Sequence, residues 1–197
     1  GVFIADEVQP GFARTGQAFF GFARHGIVPD MITMGKPMGN GIPISGLAAK
    51  EDVLAAFSDK LPYFNTFGGN PVSIAAAQAV LKYIKDENLQ EHCKKAGGAL
   101  LKALKEVQER HPESVGDVRG AGLFLGFEFV KNDGNKTPDK DMALNVIEML
   151  RDEHILTSVI GHYGNILKLR PPMVFSENDI DWFATSLDKC ITKLENK

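Results

Sequence analysis

The 197 residues predict an α/β fold with a smaller α+β domain behind it. Three observations carry this reading. Short apolar segments alternate with amphipathic, helix-period segments along the whole chain. The first apolar run, Gly1-Val2-Phe3-Ile4-Ala5, closes directly on Asp6-Glu7, and α/β proteins place ligand chemistry at the C-terminal ends of inner strands. After Pro112 the pattern changes, and parts of Val118 and Leu123 to Val130 alternate apolar with polar or small residues, as strands with one covered face do. The expected division is residues 1–88 and 89–197, with the helix at the junction able to belong to either side.

The elements follow in order. Residues 1–8 read as a buried strand and residues 31–36 as a second, short one. The second ends in Met34-Gly35-Lys36-Pro37-Met38-Gly39-Asn40-Gly41, too rich in Gly and Pro for a helix. Gly46 to Ala49 is a third strand after a turn at Pro43, and Glu51 to Phe57 a short helix. Asn70-Pro71 opens a longer helix, a polar N-cap followed by proline at the first helical position, running through Ala75, Ala79, Leu81 and Ile84 to about Lys85. Leu89 to His111 is a second long helix, stopped by Pro112. Beyond the strands noted above, Asn132-Asp133-Gly134-Asn135 is a turn and Asp139 to Glu153 an amphipathic helix. Ile155 to Val159 and Asn165 to Arg170 are strands around a Gly161 to Gly164 turn. Ser176 caps a final helix, with Asp179 in the N3 position of a capping box.

Composition excludes several function classes. A formal net charge of -3 argues against a nucleic-acid partner, which needs clustered Lys and Arg. Lys94-Lys95 and Lys102 to Lys105 recur at helical spacing and read as a solvated face. The two cysteines are too few for a disulfide framework, and neither they nor the five histidines show ligand spacing, so no metal is expected. No segment has the apolar length of a membrane span. A reducing, cytoplasmic setting is the default expectation.

Asp6 and Lys36 carry the chemistry. A lysine hemmed in by small and apolar residues can have its charged form disfavoured, which makes its amine a usable nucleophile. An acid at a strand end together with such a lysine suits pyridoxal 5'-phosphate (PLP): the lysine forms the Schiff base and the acid keeps the pyridine nitrogen protonated. The same strand ending in Asp-Glu also fits the acidic strand of a P-loop ATPase. No Walker A sequence occurs in these residues, and Gly120-Ala121-Gly122-Leu123-Phe124-Leu125-Gly126 is one residue too long for a dinucleotide fingerprint.

Several motifs in order decide between these. Asp6-Glu7-Val8-Gln9, Gly11-Phe12-Ala13-Arg14-Thr15-Gly16, Pro29-Asp30, Thr33-Met34-Gly35-Lys36 and Asn65-Thr66-Phe67-Gly68-Gly69-Asn70-Pro71 resemble the successive signatures of class III PLP-dependent aminotransferases. The resemblance continues through Gly116-Asp117-Val118-Arg119-Gly120-Ala121-Gly122-Leu123 to Leu169-Arg170-Pro171-Pro172. It implies a remnant of the fold type I large domain followed by the small C-terminal domain. It also implies that the chain is the C-terminal half of an enzyme about twice as long, whose other half grips the cofactor phosphate and stacks on its ring.

The resemblance also assigns roles. Asp6 pairs with the pyridine nitrogen, Val8 packs on the ring face, Gln9 reaches the ring hydroxyl, and Lys36 holds the cofactor and later acts as general base. Thr66 binds the cofactor phosphate of a neighbouring subunit in a homodimer, with backbone N–H groups beside Gly68-Gly69 as further donors. Arg170 clamps a substrate carboxylate with its planar fork. The implied function is transfer of an amino group between an amino acid or amine and a 2-oxo acid. Two alternatives stand beside it: a PLP-dependent phospho-lyase acting on a phosphorylated amino compound, and a non-catalytic fragment competent only in folding and association.

Overall fold

The structure is a computed structural model that describes residues 1–196. The chain forms two compact units, Gly1–Glu91 and a second from His92 onward.

The first unit is built on a three-stranded sheet of β1 (Ile4–Asp6), β2 (Met31–Met34) and β3 (Gly46–Ala49), in that spatial order. β1 and β2 are parallel, with Ile4 opposite Met31 and Asp6 opposite Thr33; β3 returns antiparallel, with Met31 opposite Ala49. The crossover from β1 to β2 contains a 3-10 turn, Gly21–His25, that periodicity did not reveal. The expected buried strand over residues 1–8 is corrected here. Only Ile4–Asp6 pair, and Val2, Phe3 and Ile4 are 56%, 49% and 52% exposed while Ala5 is buried. Among the described residues β1 lies at the edge of its sheet, and apolar composition buries a strand only where another layer covers it.

Asp30 ties the ends of this sheet together. Its Oδ2 accepts from the Phe3 N–H at 2.8 Å and its Oδ1 from Lys50 Nζ at 2.7 Å, so residues flanking all three strands meet at one side chain. Lys50 and the Phe3 N–H hold the Asp30 carboxyl below the usual carboxylate range. Lys50 also precedes α1 (Glu51–Ser58). Helix α2 (Pro71–Asp86) starts as read from the sequence: Asn70 Oδ1 accepts from the Ser73 N–H at 3.0 Å, and Pro71 occupies the first helical position, where its missing N–H costs nothing. Helix α3 (Leu89–Arg110) follows.

The second unit is an antiparallel sheet covered by helices. Its strands β4 (Val115–Ala121), β5 (Phe124–Phe129), β6 (Val159–Ile160) and β7 (Ile166–Leu169) lie in the order β4-β5-β7-β6. Leu125, Phe127 and Phe129 alternate inward along β5, and Leu167 and Leu169 along β7. Three helix stripes at 3.6-residue spacing join the same core: Leu100, Leu104 and Val107 of α3; Ala143, Val146 and Leu150 of α4 (Lys140–Asp152); Ile180, Phe183, Leu187 and Ile191 of α5 (Glu177–Glu195). Each large apolar side chain buried there contributes about 1.5–3 kcal/mol. The capping box of α5 is present, Ser176 and Asp179 bonding each other's backbone N–H.

The strand expected over Ile155 to Val159 shrinks to two residues. His154 takes a left-handed φ of 62°, and the segment after it meets β7 through the Thr157 hydroxyl to the Lys168 carbonyl and the Lys168 N–H to the Ser158 carbonyl. A buried His111 links α3 to α5, its Nδ1 2.7 Å from Glu195 Oε2 and its Nε2 3.1 Å from Asp188 Oδ1. Partial burial works against the Asp188 charge, but hydrogen bonds from Arg110 and His111 outweigh it and leave that carboxyl below its usual range.

Helix α3 and the turn joining β4 to β5 approach each other closely in this unit. A Cβ on Gly97 would sit 2.2 Å from both the carbonyl carbon and the oxygen of Gly122. Gly122 itself has φ 53° at the first position of the two-residue turn, where hairpins favour glycine. Alanine in place of a helical glycine ordinarily stabilises by about 0.5–1 kcal/mol. Here the clash is with main chain that cannot rotate aside, so it wins. Gly97→Ala is expected to destabilise this unit by about 1–3 kcal/mol, read as a lower urea midpoint in the fluorescence of Trp182, the only tryptophan. A midpoint equal to or above the parent's contradicts the packing described.

Candidate active site

Parallel pairing brings the C-terminal ends of β1 and β2 to the same edge of the sheet, and the candidate residues emerge there. Asp6 is exposed at the end of β1. Its Oδ1 accepts from the Val8 N–H at 3.0 Å and from the Thr33 hydroxyl at 3.4 Å, while Oδ2 takes no hydrogen bond from the described residues. The Val8 side chain lies over Gly35, whose Cβ position is 3.7 Å from Val8 Cγ2. Lys36 follows as the first residue of a loop closed by the Met38 N–H on the Gly35 carbonyl at 2.7 Å and the Ile42 N–H on the Gly39 carbonyl at 3.1 Å. Only glycine fits at position 39, where a Cβ would lie 2.1 Å from the Ile42 oxygen.

Val8 and Lys36 share an open hollow of about 850 Å³. Met34, Gly35, Pro43, Ile44 and Ser45 line one side of it, and Tyr63, Asn65, Phe67 to Asn70 and Ser73 the other. The size is that of a small-molecule site. The expectation that Lys36 is hemmed in by its neighbours is corrected: it is exposed, because its loop forms one rim of the hollow and nothing among the described residues closes over it.

The opposite rim is a loop held by two asparagines. Asn65 Oδ1 accepts from the Phe67 N–H at 3.2 Å and the Gly68 N–H at 2.9 Å. Asn70 Nδ2 donates to the Phe67 carbonyl at 3.0 Å while its Oδ1 caps α2, and the Ser73 hydroxyl donates to the Pro43 carbonyl at 3.3 Å. The Phe67 and Gly68 N–H groups therefore already have an acceptor within their own loop. Neither asparagine stood among the sequence-based site residues. The signal was present, since Asn followed three residues later by Gly is an Asx-turn pattern. Ser45 and Ser73, which also line the hollow, had no such signal.

The remaining candidates lie elsewhere. Gln9 is half-buried directly after Val8. Thr66 is exposed on the asparagine-held loop, outside the lining of the hollow although both its neighbours belong to it. Arg170 is exposed at the end of β7 in the second unit, on the wall of a different pocket of about 480 Å³ with Leu156, Trp182 and Phe183. Thus, within the first unit, the structure brings Asp6, Val8 and Lys36 to one edge of the sheet, with Thr66 on the loop of the opposite rim.

The family model for class-III aminotransferases matches residues 1–191. The chain belongs to this family. Among curated relatives, ethanolamine-phosphate phospho-lyase homolog 1 of Caenorhabditis elegans is 44% identical over 98% of this chain and 42% of its own length. Alanine–glyoxylate aminotransferase 2 homolog 2 of Arabidopsis thaliana, a mitochondrial protein by name, is 41% identical over 98% of this chain and 40% of its own. An Arthrobacter phospholyase solved with phosphoethanolamine superposes with a TM-score of 0.93 at 39% identity, covering 98% of this chain and 45% of that one. The chain therefore spans less than half the length of the relatives it matches. Its architecture is part of the fold of PLP-dependent transaminases, and class-III aminotransferases and phospholyases depend on PLP. The residues of the hollow and the strand end beside it fit that group: an exposed primary amine on Lys36, a branched apolar face at Val8, and on Asp6 a carboxylate oxygen that takes no hydrogen bond from the described residues.

The loop geometry gives a direct test. Asn70→Ala removes both the cap of α2 and the bond to the Phe67 carbonyl. It is expected to cost about 1 kcal/mol and to speed amide hydrogen exchange over residues 66–73 while leaving α5 unchanged. Unaltered exchange in that segment contradicts the role given to Asn70.

Proposed function

We propose that this chain is the C-terminal part of a PLP-dependent enzyme that moves an amino group between an amino acid or amine and a 2-oxo acid. The observation that carries the reading is the shared edge: Lys36 and Val8 in one hollow, with Asp6 beside them at the end of the parallel neighbour. When bound, PLP supplies an electron sink for the carbon bearing the substrate's amino group. Lys36 would hold the cofactor through Nζ, and its free amine would serve as the base for that carbon's proton. Asp6 would keep the ring nitrogen protonated, with Oδ2 available for it because Oδ1 already accepts from Val8 and Thr33. Val8 would support the ring face and Gln9 would reach its hydroxyl. Arg170 suits a substrate carboxylate, which its fork can grip at two oxygens.

A second reading is supported by the similarity to phospho-lyases: elimination of phosphate from a phosphorylated amino compound with the same cofactor and lysine. Phosphoethanolamine separates the two. Amino-group transfer that requires a 2-oxo acid in equal amount supports the transaminase; release of phosphate and ammonia with no oxo acid supports the lyase. In both, Lys36→Ala in the whole enzyme is expected to lower turnover by about 10²- to 10⁴-fold or more. Near wild-type turnover removes Lys36 from the mechanism.

The site is further proposed to lie at a homodimer interface. Every residue from Leu61 to Gly69 is exposed, and Tyr63, Phe64 and Phe67 are 74%, 85% and 82% exposed. Aromatic side chains so clustered mark a surface that another chain covers. In this arrangement each subunit lends its Thr66 to the other's cofactor phosphate. Mixing inactive Lys36→Ala enzyme with an inactive Thr66→Ala enzyme then yields heterodimers with one doubly defective and one intact site, and partial activity returns. Confirmed heterodimers without activity place Thr66 in its own subunit's site or in none.

A further inference from the structure

We propose that Glu7 is a positioning residue for the cofactor site, one that sets where Asp6, Val8 and Gln9 stand although it faces away from them. The inference rests on the PLP reading above. Glu7 follows Asp6 directly, and because strand side chains alternate, the exposed Asp6 and the buried Glu7 point to opposite sides. Glu7 is 2% exposed, and its partners are main-chain groups rather than a cation. Oε2 accepts from the Gly21 N–H at 2.7 Å and Oε1 from the Phe22 N–H at 2.8 Å, which are the opening residues of the 3-10 turn. Its own N–H donates to the Thr33 carbonyl at 2.9 Å, carrying the parallel ladder one step past Asp6, and its carbonyl accepts from the Gly11 N–H at 3.2 Å.

Four hydrogen bonds therefore fix one residue to β2, to Gly11 and to the 3-10 turn. Residues 8–10, which present Val8 and Gln9, are the short span between two of those anchors. The packing leaves no slack. A Cβ on Gly11 would lie 2.7 Å from the Glu7 carbonyl oxygen, and one on Gly21 2.8 Å from Pro10 Cβ and 3.3 Å from Glu7 Oε1. Immediately beyond, Phe12 and Ala13 both hold left-handed backbone, φ 59° and 66°, which residues with a Cβ disfavour and keep only when their surroundings impose it. Phe12 packs on Phe19 and Phe20, and the Ala13 N–H donates to the Phe19 carbonyl at 2.8 Å. The strained turn is thus held against Phe19 and Phe20, which lead directly into the 3-10 segment that the Glu7 carboxylate grips. A carboxylate is the side chain that can accept from two N–H groups at once. Glutamine has one acceptor and would turn an NH₂ toward one of the two donors.

The test uses Glu7→Gln and Glu7→Asp in the whole enzyme, with PLP as the titrant and Lys36→Ala as the control for specific binding. Three readouts are taken: amide exchange over residues 8–26, the PLP dissociation constant, and the position of the cofactor's visible absorbance band. Glu7→Gln is expected to speed exchange over 8–26, to weaken PLP by about tenfold or more and to shift the band, while exchange over 177–195 stays as in the parent. Glu7→Asp, which keeps the charge but falls a methylene short, is expected to show the same shifts to a smaller degree, and it serves if the glutamine variant does not fold. Faster exchange with unchanged PLP affinity and band in both variants makes Glu7 a purely structural anchor and overturns the proposal. So does unchanged exchange. If the parent enzyme binds no PLP in a Lys36-dependent, saturable way, the PLP reading itself fails, an outcome distinct from a parent that binds and Glu7 variants that bind equally well.

Discussion

The parallel register of β1 on β2 is the constraint on which the first unit depends. With Asp6 opposite Thr33, the chain leaves both strands at the same edge, and the two segments that carry Val8 and Lys36 have to meet there. A slip of one residue would turn Asp6 to the buried side and Glu7 to the exposed one, because side chains alternate along a strand. The structure guards against that slip from both faces. On one, Asp6 bonds the Thr33 hydroxyl; on the other, Glu7 can find its two N–H partners only when it points inward. Asp30 adds a third lock at the opposite end of the strands. The neighbouring acids Asp6 and Glu7 therefore do different work with the same functional group, and the pleat alone decides which does which.

The two units meet the cost of folding differently. The second has a continuous core drawn from β4, β5, β7 and the stripes of three helices, and among the described residues the buried hydrophobic cluster lies within residues 93–191. The first buries few large side chains and leaves Val2, Phe3, Ile4, Leu47, Phe57 and Phe64 exposed. Its order comes instead from directed hydrogen bonds: Asp30, Glu7, Asn65 and Asn70 each hold two or more partners. Such bonds contribute only about 0.5–1.5 kcal/mol net apiece. They specify geometry better than they supply stability, which is what a ligand site requires of its scaffold.

Local signals were legible where the physics is local. Asn70-Pro71 and Ser176 with Asp179 gave the starts of two helices because a cap is a contact across three residues. Helix α4 was legible because amphipathic period reports a buried face whatever covers it. Burial of β1 was not, since Val2-Phe3-Ile4 has the composition of an inner strand and only the presence of a covering layer makes it one. The strand after Ile155 was overread for a related reason: composition does not name a partner, and the ladder with β7 takes in only Val159 and Ile160. At the site, motif order pointed to Asp6, Val8 and Lys36, which the parallel pairing of β1 and β2 brings to one edge of the sheet. It did not show that Asn65 consumes the N–H groups of Phe67 and Gly68, because that depends on one side-chain rotamer closing over its own loop.

Gly39 and Gly97 stand where a Cβ would strike main chain, the first 2.1 Å from the Ile42 oxygen inside the lysine loop itself, the second 2.2 Å from the Gly122 carbonyl at the β4–β5 turn. The two positions need glycine for different reasons. At Gly39 the loop folds on itself, the Gly39 carbonyl accepting from the Ile42 N–H, whereas at Gly97 a turn is pressed on a helix. Each leaves no room for a side chain. The bonds and the glycine that shape the lysine loop thus lie within it, and Lys36 at its start stays exposed.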